Sequence, residues 1–253
     1  MNAAERRKEI MEYLEQNQEA YTASLCQKMS VSAMTIHRDF AYLARQGLIT
    51  LLRGGAALNH GAAVLHSLQL RQTCQPEEKR RIAAYCAGLV KEGESVFIDC
   101  GSTALCIAEA LRAKKNVLVL TASLDAAQIL SAMDGIQLIM VPGVFAKPLR
   151  GFTGQMTVDF MRRFFVDWMF LGANGLDSVQ GLSSPDYTDA ETKRALLRQA
   201  RRLVVAADHT KLGQSCFEII AGLSEIDRIV TDRGAEHDVV KDFTDQKIEM
   251  ILV

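Results

Sequence analysis

The chain has 253 residues, of which 49% are hydrophobic and 23% are charged, and its formal net charge is −1. This composition is typical of a globular protein with one large domain, or with a small and a medium one. No apolar run reaches the length of a membrane span, and the first residues lack the apolar segment of a signal peptide, so we expect a cytoplasmic protein.

The six cysteines are scattered along the chain, and no two of them have the spacing of metal ligands. Most lie in apolar surroundings, which favours reduced, buried thiols over disulfides. We therefore expect no metal and no cofactor.

Residues 1–58 are predicted to form three helices and a hairpin. The first helix lies within residues 4–17, where apolar side chains recur at helical spacing. Thr22 is a candidate N-cap for the second helix, and Ser32 is one for a third helix that runs to about Gln46.

The hairpin follows the third helix. Leu48–Leu52 and Ala56–Leu58 are mostly apolar and flank Arg53-Gly54-Gly55, a pattern that predicts two short strands joined by a glycine turn. Three helices with a tight second turn and then a hairpin form a winged helix-turn-helix.

The third helix has one apolar and one polar side. At about 100° per residue, Ile36, Phe40 and Leu43 face the core. The opposite side has small side chains near the start of the helix and arginines along its length. A surface of this kind suits the DNA major groove. Asp39 lies nearer the buried side, and we expect it to pair with an arginine of the first helix. The candidate DNA-contacting residues of this helix and the wing are Ser32, Ala33, Met34, Thr35, His37, Arg38, Arg45 and Arg53.

Charge alone does not separate DNA binding from a solvated surface. Residues 1–58 hold seven Lys or Arg and six Asp or Glu, a net of +1, which is no basic arm. From the pattern alone, an ordinary solvated helix remains open.

A family resemblance favours DNA binding. The segment Ser32–Phe40 (SAMTIHRDF), followed by L-x-x-Q-G-L-I and then R-G-G-A, resembles the signature of DeoR-family transcriptional regulators. The resemblance implies that this segment is the recognition helix, that the glycine pair lies in the wing, and that the partner is double-stranded operator DNA. His37 stands where the family more often has a second arginine, so we expect this helix to bind DNA more weakly or to recognise another base.

Residues 59–75 have weak periodicity and are the predicted linker. From Pro76 to Val253, apolar strands alternate with helical segments. Strands that are apolar on both faces and alternate with helices predict a mostly parallel α/β sheet. Residues 76–253 are thus the predicted effector-sensing α/β domain.

Ligands in such sheets bind at the carboxyl ends of the strands. The loop Asp99–Thr103 leads into a helix, and its glycine and hydroxyls suit an anion such as phosphate, although a plain strand-to-helix turn is the alternative. Lys193 near a helix start is either a phosphate ligand or an ordinary surface lysine. The other polar segments at strand ends or helix starts are Thr121–Leu124, Gly172–Gly175, Thr188–Lys193 and Asp208–Lys211.

The second half also resembles the DeoR family. The motifs D-C-G-S-T, V-P-G, F-L-G-A-N-G-L, G-L-S-S-P-D-x-x-D-A-E-T-K-R and A-D-H-T-K-L-G follow the order of its sensor domain. That domain is similar in fold to ribose-5-phosphate isomerase and CoA-transferase proteins and typically senses phosphorylated sugars. Asn174 stands where the family commonly has an aspartate. The resemblance implies effector contacts from Asp99, Gly101, Ser102, Thr103, Asn174, Glu191, Lys193 and Lys211.

Two functions of different classes remain. One is a transcriptional regulator, most often a repressor of carbohydrate genes, controlled by a phosphorylated sugar. The other is an isomerase-like enzyme with a DNA-binding appendage. Glu191 is the candidate for its catalytic base, and the sequence offers no clear candidate for the partner acid. The resemblance favours the regulator, not the enzyme. One winged helix reads one half-site, so we expect a homo-oligomer, a dimer or tetramer.

Overall fold

The computed structural model describes residues 2–45, 48–58 and 68–253. The chain divides into two compact units, Met1–Cys74 and Gln75–Val253. Residues 59–67 of the predicted linker lie outside the described residues, and Leu68–Thr73 within it forms a helix. The domain boundaries drawn from the sequence remain a prediction.

The first unit has the predicted order of helices and strands. Its strands form an antiparallel sheet in the order β1-β3-β2. The three helices and the β2–β3 hairpin are confirmed, whereas β1 was not predicted, because three residues are too few to show an alternating pattern. The elements are α1 (Ala3–Asn17), β1 (Glu19–Tyr21), α2 (Thr22–Met29), α3 (Ala33–Arg45), β2 (Ile49–Leu52), β3 (Gly55–Leu58) and α4 (Leu68–Thr73).

One helix cap is confirmed and one is wrong. Ser32 Oγ accepts the Thr35 N–H at 3.2 Å, which caps α3. Thr22 is already the first residue of α2, after Tyr21 at the N-cap. The Thr22 hydroxyl is buried and has no hydrogen-bond partner among the described residues. Gln46, the predicted end of the third helix, lies outside those residues.

The second unit alternates strands and helices. Its elements are α5 (Pro76–Leu89), β4 (Ser95–Ile98), α6 (Ser102–Ala110), β5 (Val117–Thr121), α7 (Leu124–Leu130), β6 (Ile136–Met140), β7 (Val144–Ala146), β8 (Gly151–Thr153), α8 (Gln155–Met161), β9 (Trp168–Gly172), β10 (Gly175–Asp177), β11 (Gly181–Ser184), α9 (Tyr187–Leu196), β12 (Leu203–Ala206), β13 (Glu218–Ala221), β14 (Arg228–Thr231), α10 (His237–Asp245) and β15 (Glu249–Leu252).

A seven-stranded parallel sheet organises this unit, in the order β15-β14-β12-β9-β4-β5-β6. Helices α5, α6 and α7 bury their apolar sides against it, with Ile82, Ile107 and Leu130 in one cluster with Ile98 and Phe170 of the strands. The mostly parallel α/β sheet is thus confirmed. Because all seven strands run in one direction, their carboxyl ends share one edge.

Two smaller sheets were not predicted, the three-stranded β10-β11-β13 and the hairpin β7–β8. The hairpin lies over the carboxyl edge, where the Phe152 N–H donates to the Ala122 carbonyl at 2.9 Å. A Cβ at Gly151 would lie 2.2 Å from Cys100 Sγ, so glycine allows the hairpin to approach the Asp99–Thr103 loop. In the described part of the chain, no helix is long and apolar enough to cross a membrane.

Candidate functional site

The exposed side of α3 carries the predicted DNA-contacting residues. Met34 is 64% exposed, His37 and Arg38 are exposed, and Thr35 is half-buried. The predicted inward residues Ile36, Phe40 and Leu43 are buried, so the helix orientation is confirmed. Ser32, Ala33 and, in the hairpin turn, Arg53 are also exposed. Arg45 ends α3, and its side chain lies outside the described part of the structure.

Asp39 holds α3 against α1. Its carboxylate is 1% exposed and accepts hydrogen bonds from Arg6 Nε at 2.5 Å and from Arg7 Nε at 2.7 Å. The Arg7 guanidinium also lies over the Tyr42 ring, 3.8 Å from its centroid. The predicted pairing with the first helix is confirmed, and it turns this negative charge away from the exposed side that carries Arg38.

Lys193 is not a surface lysine, so that alternative is wrong. It is 5% exposed, and its Nζ lies 2.9 Å from Asp99 Oδ2 and 3.1 Å from Asp189 Oδ2. The Gly172 N–H donates to Asp99 Oδ2 at 3.0 Å, and the Ser184 hydroxyl donates to Asp189 at 2.9 Å. These contacts join the carboxyl ends of β4 and β9 to α9, in which Asp189 lies in the first turn and Lys193 in the last turn, not near the helix start as predicted. We call Asp99, Asp189 and Lys193 the carboxylate–lysine cluster.

Two carboxylates share one ammonium in this cluster. Burial by itself lowers the pKa of Lys193, but Asp189 and Asp99 raise it above its usual value, so the lysine stays charged. Burial raises the pKa of Asp99, and Asp189 adds to this effect, while Lys193 opposes it. With all three groups ionised the cluster carries a net charge of −1. The charge of Lys193 is therefore already engaged by protein carboxylates.

The loop after β4 leads directly into the N-terminus of α6. Gly101 is the residue before the helix, at a φ of 137° that favours glycine. Ser102 and Thr103 begin the helix and are 6% and 7% exposed. The first N–H groups of a helix have no acceptor within it and attract anions. This helix start lies directly after Asp99 of the carboxylate–lysine cluster.

The remaining predicted effector residues are spread along the same edge. Asn174 follows β9 and is half-buried, and Lys211 follows β12 and is also half-buried. Glu191 is exposed on α9. It precedes Lys193 by two positions, which places the two side chains about 200° apart around the helix axis. The structure thus brings Asp99 and Lys193 together but leaves Glu191 outside their cluster.

A second buried ion pair at this edge was not predicted. Lys79 Nζ of α5 lies 3.1 Å from Asp208 Oδ2, and both side chains are almost fully buried. The Thr210 hydroxyl donates to the other oxygen of Asp208 at 2.5 Å. Burial would raise the pKa of Asp208, but Lys79 and then Lys211 outweigh it, and the pKa lies below its usual value. Lys79 stands in the run EEKRR, which in sequence resembles a solvated helix face.

Metal binding has no support in the described part of the chain, where no group of three or more His, Cys, Asp or Glu side chains is arranged to hold an ion. Cys26, Cys86, Cys106 and Cys216 are free thiols.

Comparisons with known proteins cover both units. A family model described as DeoR-like helix-turn-helix domain matches residues 6–62, and one described as DeoR C terminal sensor domain matches residues 74–233. The chain is 33% identical over 252 residues to the glycerol-3-phosphate regulon repressor of Escherichia coli (strain K12), covering 100% of both chains. It is 32% identical over 233 residues to the HTH-type transcriptional repressor GlcR of Bacillus subtilis (strain 168), covering 92% of this chain and 90% of that protein.

Among solved structures, ribose 5-phosphate isomerase A from Methanocaldococcus jannaschii aligns with a TM-score of 0.41 and 19% identity over 54% of each chain.

Proposed function

Because the chain belongs to the DeoR family of transcriptional regulators, we propose that it represses carbohydrate genes and that a phosphorylated sugar controls its affinity for operator DNA. The observation that carries the sensing half of this proposal is the carboxylate–lysine cluster beside the start of α6. The curated relatives described above are repressors, and the chain, as a member of the same family, is not an enzyme. It would act in the cytoplasm, where its operator is.

DNA binding is assigned to the exposed side of α3 and to the wing. Met34 and Arg38 project from this side, and Arg53 lies in the turn of the hairpin. A recognition helix places its first residues against base edges, and an arginine there can donate two hydrogen bonds to guanine. Arg53 would contact the phosphate backbone, which positions the protein without reading sequence.

The effector site is assigned to the carboxyl edge of the parallel sheet. We assign its phosphate to Gly101, Ser102 and Thr103, since a helix start with two hydroxyls offers several hydrogen-bond donors to an anion. The cluster suits the sugar rather than the phosphate, because Lys193 is already shared by two carboxylates. Carboxylate oxygens of Asp99 and Asp189 would accept hydrogen bonds from sugar hydroxyls, with Asn174 and Lys211 farther along the edge.

The isomerase alternative loses its candidate base. Such an enzyme needs a carboxylate within hydrogen-bond reach of the sugar carbon that gives up its proton. Glu191, the residue considered for this role, has an exposed side chain that points away from Lys193 around α9.

Control of DNA binding requires that the effector bind two arrangements of the protein with different affinity. We assign the transmission to residues 59–75 and to α5, which connect the two units along the chain. A homo-oligomer, a dimer or tetramer, would place two winged helices on one operator.

The test uses the purified full-length chain and a labelled DNA fragment from upstream of its own gene. Operator affinity is measured by fluorescence anisotropy while glycerol 3-phosphate, ribose 5-phosphate, glucose 6-phosphate or inorganic phosphate is added. We expect at least one sugar phosphate to change operator affinity without being converted. Turnover of a sugar phosphate, or no effect of any of them on operator affinity, contradicts the proposal.

A variant locates the phosphate. Thr103→Val keeps the shape and removes a donor to a charged group, a loss of about 1.5 kcal/mol, so roughly tenfold more effector is needed. Operator affinity without effector stays unchanged. Thr244→Val, at an exposed position of α10, is the matched control and leaves the response as in wild type. An unchanged response of Thr103→Val places the phosphate elsewhere.

A further inference from the structure

His209 is held by a buried carboxylate at the carboxyl edge of the sheet, next to Asp208. Its Nδ1 lies 2.8 Å from Asp232 Oδ2, and its backbone N–H donates to Asp232 Oδ1 at 2.8 Å. The Gly234 N–H also donates to Asp232 Oδ2, at 2.8 Å. Asp232 is 1% exposed, so these donors, rather than water, surround it. The carboxylate therefore fixes both the backbone and the ring of His209.

This arrangement determines where the ring carries its proton. A carboxylate oxygen only accepts hydrogen bonds, so Nδ1 of His209 must be the donor in the contact with Asp232. In the neutral ring Nε2 is then an unprotonated acceptor. The side chain is 29% exposed, and Nε2 has no hydrogen-bond partner among the described residues. The structure thus presents one acceptor atom of fixed orientation.

Gly234 makes room for the ring. A Cβ at this position would lie 2.7 Å from His209 Nδ1 and 2.7 Å from Asp232 Oδ2. A side chain there would push the imidazole off the carboxylate. The close approach therefore depends on glycine as well as on the two polar residues.

The position of His209 relates it to the effector edge. It follows β12, which is separated from β4 by β9 alone. Neighbouring strands are about 4.8 Å apart, so the ends of β4 and β12 are separated by about 10 Å. A ligand whose phosphate lies at the start of α6 would pass Asn174, after β9, before it reaches His209. A five- or six-carbon chain places several hydroxyls along such a distance, whereas a three-carbon chain reaches it only with its terminal hydroxyl and only when fully extended.

We propose that His209 accepts a hydrogen bond from a hydroxyl of the bound effector through Nε2, with Asp232 as its positioning residue. The effector is then a phosphorylated pentose or hexose rather than a three-carbon phosphate. This inference rests on the proposed function, because it places a further contact in the same effector site.

The first measurement is ¹⁵N NMR of the histidine rings in the full-length chain. His209 is expected to show a protonated Nδ1 and an unprotonated Nε2, and the Nε2 resonance shifts when ribose 5-phosphate or glucose 6-phosphate is added. Glycerol 3-phosphate and inorganic phosphate leave it in place. A proton on Nε2 instead of Nδ1, or an Nε2 signal that no sugar phosphate moves, overturns the inference.

The second measurement is calorimetric binding of the same four compounds to variants. His209→Asn keeps a donor near Asp232 but removes the Nε2 acceptor, and one neutral hydrogen bond corresponds to roughly three- to tenfold in affinity. We expect that loss for the pentose or hexose phosphate and none for inorganic phosphate. His209→Gln, which returns an acceptor near the Nε2 position, recovers part of it, and exposed His237→Asn is the control.

The outcomes separate the two proposals. An equal loss for sugar phosphate and inorganic phosphate means that His209 contacts phosphate and overturns the hydroxyl assignment. Wild-type binding by His209→Asn overturns the inference alone, whereas a wild-type chain that binds no sugar phosphate overturns the proposed function. Asp232→Asn is expected to weaken the sugar phosphate only when His209 is present; an equal effect in the His209→Asn background contradicts the positioning role.

Discussion

Lys193 Nζ lies 2.9 Å from Asp99 Oδ2, which joins the last turn of α9 to the end of β4 although the two residues are far apart in the chain. Asp189 takes a second contact of the same ammonium at 3.1 Å. The lysine thus holds two carboxylates at the carboxyl edge of the sheet, and its removal has consequences for the fold as well as for the effector.

Replacing Lys193 by Ala should lower the free energy of unfolding by about 3–5 kcal/mol, since it leaves buried carboxylates without their cation. Urea unfolding of the full-length chain measures this. Lys241→Ala, on the exposed side of α10, is the control and should change it by less than about 0.5 kcal/mol. In the triple variant Lys193→Met/Asp99→Asn/Asp189→Asn much of the loss should return. A stable Lys193→Ala protein contradicts the burial of this cluster.

Replacing Arg38 by Ala should cost about 1–3 kcal/mol of sequence-specific DNA binding if its guanidinium reads a base. Anisotropy titrations with operator and with random DNA of equal length measure it. Equal losses on the two DNAs would mean that Arg38 touches phosphate only. Exposed Arg112→Ala in the second unit is the matched control. Unchanged binding of Arg38→Ala to both DNAs would remove α3 from the interface.

Changing His37 to Arg should tighten DNA binding, because it adds a permanent positive charge on the exposed side of α3. One extra phosphate contact steepens the salt dependence of log K by about 0.9. Titrations at several salt concentrations give this slope. If the affinity and the slope both match wild type, His37 does not face DNA.

Asp208 should make stability depend on pH. Its folded pKa lies below the usual 3.8, because Lys79 and Lys211 outweigh the effect of burial. The folded state therefore binds fewer protons than the unfolded state, and the stabilisation is complete above pH 3.8 and is lost as the pH falls through the folded pKa. Urea unfolding of wild type and of Asp208→Asn across this range isolates the contribution.

The difference in unfolding free energy between these two proteins should shrink on acidification. Exposed Asp242→Asn, in α10, should show no such trend and serves as the control. A difference that stays constant down to the acid limit of the folded state would mean that the pKa of Asp208 is not lowered.

Local patterns in the sequence were enough to predict the helices and strands that bury an apolar side. Ile36, Phe40 and Leu43 recur at helical spacing because one side of α3 must face a core, and the structure buries all three. The runs that became β4, β5, β9 and β12 are apolar on both faces because helices or loops cover them. The resemblance of SAMTIHRDF and of the sensor motifs to the DeoR family then predicted DNA binding by the first unit and effector sensing by the second.

The tertiary structure alone decided the partners of the charged residues. Lys79 and Lys193 each stand in an ordinary charged helix, and only the packing of α5 and α9 against the sheet edge buries them beside Asp208 and Asp99. An ion pair leaves no periodic trace in sequence, because its members come from distant elements and its geometry depends on strand order. For the same reason the sequence did not predict the contact between His209 and Asp232, because it depends on β12 and β14 lying side by side in the sheet.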